Sequence, residues 1–309
     1  MSVTPSPAIS RTQAWLESLR PKTLPLGVIA IITGSALAYW TGHFKFPVAL
    51  LALITTGILQ ILSNLANDYG DAVKGTDTEA RLGPLRGMQK GVITAAQMKK
   101  ALILTVTLAC LSGLALIIVA CEKPEDIIGF LGLGVAAIIA AITYTVGKKP
   151  YGYLGLGDIS VLIFFGWLSV IGTYYLQAGF FSPLTILPAT ACGLLSVSVL
   201  NINNMRDIEN DILAGKNTLA VRLGPLKSRY YHATVITVAF LCLVLFTLLY
   251  LHGWYSWLFL LSAPVLFMHI RRVLGDMTAT GMRPLLEQMV KAALLVNILF
   301  SAGLICQRL

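Results

Sequence analysis

Charged side chains are scarce in this sequence. They make up 12% of 309 residues, about half the share of an ordinary soluble domain, while hydrophobic residues make up 56%. That balance excludes a water-soluble globule and points to a chain solvated by lipid. Histidine is scarce as well. His43 and His252 fall at the edges of apolar runs, and His232 and His269 lack partners at metal-ligand spacing, so nothing suggests a zinc centre. The five cysteines, Cys110, Cys121, Cys192, Cys242 and Cys306, include no pair with metal or redox spacing, and most sit inside apolar runs as small hydrophobes. Residues 1–20 lack the continuous apolar core of a signal peptide, and the first span is expected to stay in the mature protein.

What is present is apolar length. Nine runs stand out, near 24–41, 46–66, 101–121, 127–146, 159–177, 183–202, 232–251, 255–270 and 288–306. Most approach the roughly 20 residues that a membrane helix needs. The expected fold is all-α and polytopic, with about nine transmembrane helices in one bundle and a single domain over 1–309. Several runs are rich in Gly, Ala and Ser, which let helix backbones approach closely in lipid. Tryptophan and tyrosine near run ends, such as Trp40 and Trp254, suit an interfacial belt.

The net charge of +9 would suit a nucleic-acid partner if it were spread over a folded surface. It is not. With alternating spans, 20 of the 23 basic residues fall on the side of the N-terminus, and only Lys45, Lys123 and Arg308 on the other. This is the positive-inside pattern, which predicts a cytoplasmic N-terminus, a bilayer partner and no nucleic acid. Two long segments, 67–100 and 203–231, are expected as loops on that same side. Both open with Asn and Asp and both contain Arg-Leu-Gly-Pro-Leu, at 81–85 and 222–226, which suggests an internal duplication with the site between the repeats.

These two segments carry the chemistry. Asn203, Asp207 and Asp211 are spaced i, i+4, i+8 and stack on one helix face. Asn64 and Asp68, and Asn67 and Asp71, repeat the i, i+4 spacing, and Asp77 follows. Like charges four apart repel, so the arrangement implies a cation that offsets them. Carboxylate and amide oxygens without Cys or His select a hard ion, with Mg²⁺ the default. Arg20, Lys22, Lys74, Arg86, Lys90, Lys148 and Arg206 lie at span ends on the same side. Acids ringed by bases suggest a metal-bridged diphosphate rather than a bare cation site. Tyr144 and Lys148, also i, i+4, and Asp158 in Gly155-Leu156-Gly157-Asp158 are further polar candidates at span ends.

The Asn67-Asp68-x-x-Asp71 motif after the second span and the Asp207-x-x-x-Asp211 motif after the sixth resemble those of the UbiA-type intramembrane prenyltransferases, which also have nine helices. The stretches Leu19–Pro25, Asn67–Asp77, Gly83–Gly91, Pro150–Ser160 and Asn201–Leu219 are similar to the branch of that family that prenylates 1,4-dihydroxy-2-naphthoate. Position 75 is Gly and the next acid falls at Asp77, a shifted pattern that this branch shares. The resemblance implies a polyprenyl diphosphate donor, octaprenyl by the same likeness, and a cytoplasmic site in a bacterial inner membrane. It implies Mg²⁺ held by Asn67, Asp68, Asp71, Asp77, Asn203, Asp207 and Asp211. It makes Asp68, Asp71, Asp207, Asp211, Tyr144 and Lys148 the catalytic candidates. Arg20, Lys22, Asn64, Lys74, Arg86, Lys148 and Asp158 become candidate contacts for diphosphate or carboxylate. Another aromatic acceptor, such as 4-hydroxybenzoate, and a secondary transporter are the competing expectations.

Overall fold

The computed structural model describes residues 10–75, 87–275 and 278–308, and the regular structure among them is entirely helical. Lipid offers no hydrogen-bond partners, so a spanning segment must satisfy its own backbone, and a helix does that. A short helix, α1 (Arg11–Leu19), precedes α2 (Pro25–Trp40), which is apolar and 16 residues long. There follow α3 (Phe46–Lys74), α4 (Ala95–Ala120), α5 (Pro124–Thr143), α6 (Gly157–Ala178) and α7 (Pro183–Arg206). After the short α8 (Ile208–Leu213) come α9 (Leu219–Tyr250), α10 (Trp254–Gly275) and α11 (Met282–Cys306). Eight of these are long and apolar enough to cross a membrane, and α2 supplies the ninth helix that the apolar runs predict.

Helix ends follow local chemistry. Pro25 and Pro124 occupy first-turn positions, where a missing N–H costs nothing. Thr94 and Gln97 form a reciprocal capping box at the start of α4. Gly75 ends α3 in the left-handed conformation, φ 67°.

Helix lengths correct one expectation. The segments 67–100 and 203–231 are not simply loops. Residues 67–74 continue α3, 95–100 open α4, 203–206 complete α7, and 219–231 belong to α9. Apolarity stops before helical hydrogen bonding does, so the Asn and Asp residues project from helix ends. Of the two Arg-Leu-Gly-Pro-Leu copies, 222–226 makes a kink in α9, where Gly224 has φ 74° ahead of Pro225. The copy at 81–85 lies outside the described residues.

The interior of the bundle is built on α7 and α11, whose spanning windows are 61% and 56% buried against 6% for α5. α7 packs against α6, α9 and α11, while α2 packs against α11, α6 and α3. The peripheral helices turn apolar side chains outward, including Ile118, Leu111 and Ile128, as a lipid-facing surface requires. α6 and α7 cross at glycines. A Cβ on Gly166 would lie 2.6 Å from the Ala189 carbonyl oxygen, and one on Gly193 would lie 2.9 Å from that of Leu162. The turns of α6 are of π type over Leu162–Ile171, and the Ser169 hydroxyl donates to the Phe164 carbonyl five residues back. Gly193→Leu should therefore force the two helices apart. The expected cost is about 1–3 kcal/mol, read as a lower unfolding midpoint of the detergent-solubilised protein.

Candidate active site

A cavity of about 1010 Å³ is enclosed by residues of α1 to α8 and of the start of α11. Its mouth is polar and its depths are apolar. Asp68 and Asp71 reach it from α3, and Asp207 and Asp211 from the junction of α7 and α8. All four are buried. The chain bends at Asp207, yet the Asp207 N–H donates to the Asn203 carbonyl at 3.2 Å and the Asp211 N–H to the Asp207 carbonyl at 2.8 Å. The i, i+4, i+8 stack thus survives the bend, and Asn203, Asp207 and Asp211 all face the cavity.

Each cluster is held by bases. Arg206 donates from Nε and Nη2 to Asp207 at 2.8 and 2.6 Å and from Nη2 to Asn203 Oδ1 at 2.7 Å. On the α3 wall, Arg20 Nη2 lies 2.9 Å from Asp68 Oδ1, and Lys216 Nζ lies 3.0 Å from Asp71 Oδ1. The Tyr153 hydroxyl donates to the same Asp71 oxygen at 2.7 Å. Arg20 itself has φ 54°, a left-handed conformation that a non-glycine residue adopts at a cost. It ends α1 and turns the chain so that its guanidinium meets Asp68.

The first cluster is aligned by a close crossing. A Cβ on Gly70 would lie 2.8 Å from the backbone of Thr145, so α3 and the turn after α5 touch there. The Thr145 hydroxyl lies 3.0 Å from the Ala66 carbonyl and 3.1 Å from Asn67 Oδ1. Tyr144, next in the chain, lines the cavity. Its ring is flanked by glycines, since a Cβ on Gly152 would meet the ring at 3.0 Å and one on Gly157 the hydroxyl at 2.8 Å. Tyr151 packs edge-on against it at 5.2 Å. Burial, then the charges of Asp158 and others, raises the Tyr144 phenol above its ordinary value and keeps it neutral.

Several expected residues lie elsewhere. Lys148 is exposed on the turn after α5 and does not line the cavity, because α5 ends at Thr143 and the i, i+4 relation to Tyr144 is lost. Asp158 is buried at the start of α6, accepting from the Tyr231 hydroxyl at 3.3 Å, and also lies off the cavity. Lys74 sits 4.4 Å over the Tyr153 ring rather than in the cavity wall. Lys22 does reach the mouth, in an exposed pair with Glu287 of α11 at 3.2 Å. Asn64 lines the wall one turn below Asp68. Asp77 and Arg86 lie outside the described residues. Tyr153 and Lys216 were missed as contacts, and their one signal was their place within the stretches Pro150–Ser160 and Asn201–Leu219.

The donor set is oxygen throughout. Among the described residues no three His, Cys, Asp or Glu converge on one point. Carboxylate and amide oxygens are the ligand type that hard divalent cations take.

The model of the UbiA prenyltransferase family matches residues 27–295. The chain belongs to the UbiA prenyltransferase family. Among curated family members, 1,4-dihydroxy-2-naphthoate octaprenyltransferase of Escherichia coli (strain K12) is 65% identical over 96% of both chains. Two solved structures share the fold. A UbiA homolog from Aeropyrum pernix K1 in its apo form covers 98% of this chain and 100% of its own, with a TM-score of 0.66 at 15% identity. A UbiA homolog from Archaeoglobus fulgidus bound to GPP and Mg²⁺ covers 95% and 99%, with a TM-score of 0.62 at 16% identity.

The pairing of Arg206 with Asp207 makes a stability prediction. Both are buried, so Arg206→Met strands a carboxylate at the cost of about 3 kcal/mol. Arg206→Met combined with Asp207→Leu should recover most of that loss in thermal unfolding. A single variant as stable as wild type would mean that the pair does not hold this wall.

Proposed function

We propose that this chain transfers a polyprenyl group, octaprenyl in its native setting, from polyprenyl diphosphate to 1,4-dihydroxy-2-naphthoate, giving demethylmenaquinol (the reduced form of demethylmenaquinone), diphosphate and carbon dioxide. The observation that carries this reading is the cavity, whose lining combines the two carboxylate clusters, Asp68 with Asp71 and Asp207 with Asp211, with many apolar side chains. An anionic head and a long apolar tail match those two zones. The 65% identity to a naphthoate octaprenyltransferase along nearly the whole chain supports the choice of acceptor.

In this reading Asn67, Asp68 and Asp71 from α3 and Asn203, Asp207 and Asp211 from α7 and α8 hold Mg²⁺, with Asp77 as a further contact. Bound Mg²⁺ supplies Lewis-acid stabilisation of the charge that develops on the leaving diphosphate. Arg20, Arg206 and Lys216, now on the carboxylates, stand at the mouth and add positive charge beside the same group. Lys22 and Arg86 are secondary basic contacts, whereas Lys74, Lys148 and Asp158 lie off the cavity wall. The allylic carbon–oxygen bond breaks with its electron pair leaving on diphosphate. The ring carbon bearing the carboxylate then bonds to the prenyl carbon, and release of carbon dioxide returns an electron pair to the ring. Tyr144 presents a neutral ring against the developing allylic cation. Apolar cavity residues such as Phe164, Leu168 and Ala137 keep water away from it. The concentration of basic residues on the mouth side supports a site and an N-terminus on the cytoplasmic face, and the bacterial relatives support an inner membrane.

Membranes carrying the protein, given Mg²⁺, octaprenyl diphosphate and 1,4-dihydroxy-2-naphthoate, should yield a prenylated product lacking the carboxylate by mass. Asp207→Asn should lower the rate by at least about a hundredfold while the protein still inserts in membrane. Near-normal turnover in that variant would sink the metal–diphosphate assignment. A product formed only from 4-hydroxybenzoate would overturn the acceptor.

A further inference from the structure

A positive charge at a cytoplasmic helix end is ordinary. Lys291 is not at an end. It stands nine residues into α11, about 13 Å along the helix from Met282 at the usual rise. Its side chain is 74% exposed. Leu295 and Ile298 follow it at i+4 and i+7 on the same face, and both are exposed apolar residues of the kind that meet lipid. A lysine heading a lipid-facing stripe is costly unless an anion lies beside it.

The neighbouring helix repeats the arrangement in the opposite direction. On α10, Leu261 and Met268 are exposed, and Arg272 completes their face at i+4 from Met268. Arg272 Nη1 donates to Gln288 Oε1 at 3.3 Å, and Gln288 and Lys291 are i, i+3 on α11. That bond sets the register of the two helices and steadies the guanidinium. Arg272 and Lys291 thus head adjacent apolar faces, and both line one cleft of about 700 Å³ between the end of α10 and the start of α11.

The charges of this cleft do not cancel. Among the described residues that line it, one is acidic, Glu287. Glu287 lies 3.4 Å from Lys291, but also 3.2 Å from Lys22, which stands at the rim of the first cavity. One carboxylate therefore serves two lysines, and Arg272 adds a third cation. An anion with several acceptor oxygens fits between a guanidinium and an ammonium, and phosphate is the group that such a pair recognises. The apolar faces running from the two bases call for chains attached to that phosphate. Basic pockets between helices on the cytoplasmic side take anionic lipid headgroups by the same logic.

We propose that the cleft between α10 and α11 binds an anionic phospholipid, with its phosphate between Arg272 and Lys291 and its acyl chains along the exposed faces of the two helices. Native mass spectrometry of the detergent-solubilised protein, titrated with dioleoylphosphatidylglycerol, reads the bound lipid directly. Wild type should bind it about tenfold more tightly than zwitterionic dioleoylphosphatidylcholine. Arg272→Gln combined with Lys291→Gln should lose about tenfold in phosphatidylglycerol affinity. Lys100→Gln combined with Lys227→Gln removes the same charge from exposed positions elsewhere on the basic side, and should leave that affinity unchanged. Unfolding midpoints without lipid check that the variants are folded. If the cleft double variant does not fold, Lys291→Gln alone should still lose about threefold. Equal affinity of wild type for the two lipids overturns the proposal, as do equal losses in the two double variants. Binding of inorganic phosphate in the lipid's place would make the cleft a site for soluble anions and also overturns it. So does a raised KM for octaprenyl diphosphate in the cleft variant with phosphatidylglycerol affinity unchanged, which would assign the two bases to the substrate.

Discussion

The structure depends on three buried carboxylates, Asp68, Asp71 and Asp207, each paired with a base where it lines an otherwise largely apolar chamber. Burying one carboxylate without compensation costs several kcal/mol, far more than a helix end can supply. The chain meets that cost twice with the same device, a base placed on each wall. Arg206 grips Asp207 from the adjacent position in the chain, while Arg20 and Lys216 reach Asp68 and Asp71 from segments distant in sequence. The two solutions differ in what they tie together. The first is local to the bend between α7 and α8. The second binds the turn before α2 and the segment before α9 to the end of α3, and so draws the open side of the bundle closed around the cavity.

Once the charges are held, the neighbouring packing follows. Gly70 lets the turn after α5 come against α3, Thr145 then reaches Asn67, and the adjacent Tyr144 is presented to the cavity between Gly152 and Gly157. A single close approach therefore orients both an oxygen ligand and an aromatic face. α6, with its wide turns and its glycine contact to α7, forms part of the chamber wall below.

Much of this was legible in the sequence, and the limits were physical. Nine apolar runs became nine helices because lipid leaves a backbone no alternative. The stack of Asn203, Asp207 and Asp211 was readable because it is set by helical spacing alone, and hydrogen bonding carried it across a bend that the sequence did not announce. Helix ends were misjudged because apolarity and hydrogen bonding stop at different residues, as at Lys74 and Arg206. Lys148 and Asp158 looked like site residues from their place at span ends, but a helix that stops a turn early, or faces the other way, removes a side chain from the cavity. Tyr153 and Lys216 meet Asp71 only through the tertiary fold, across 82 and 145 residues of chain. No local pattern encodes such a pairing.

The exposed pair between Lys22 and Glu287 bridges the beginnings of α2 and α11 at the rim of the cavity. Both side chains are solvated, and a contact of that kind contributes little and weakens with salt. The rim is therefore joined at this point by a contact that ionic strength alone can loosen, whereas the buried pairs inside are screened far less.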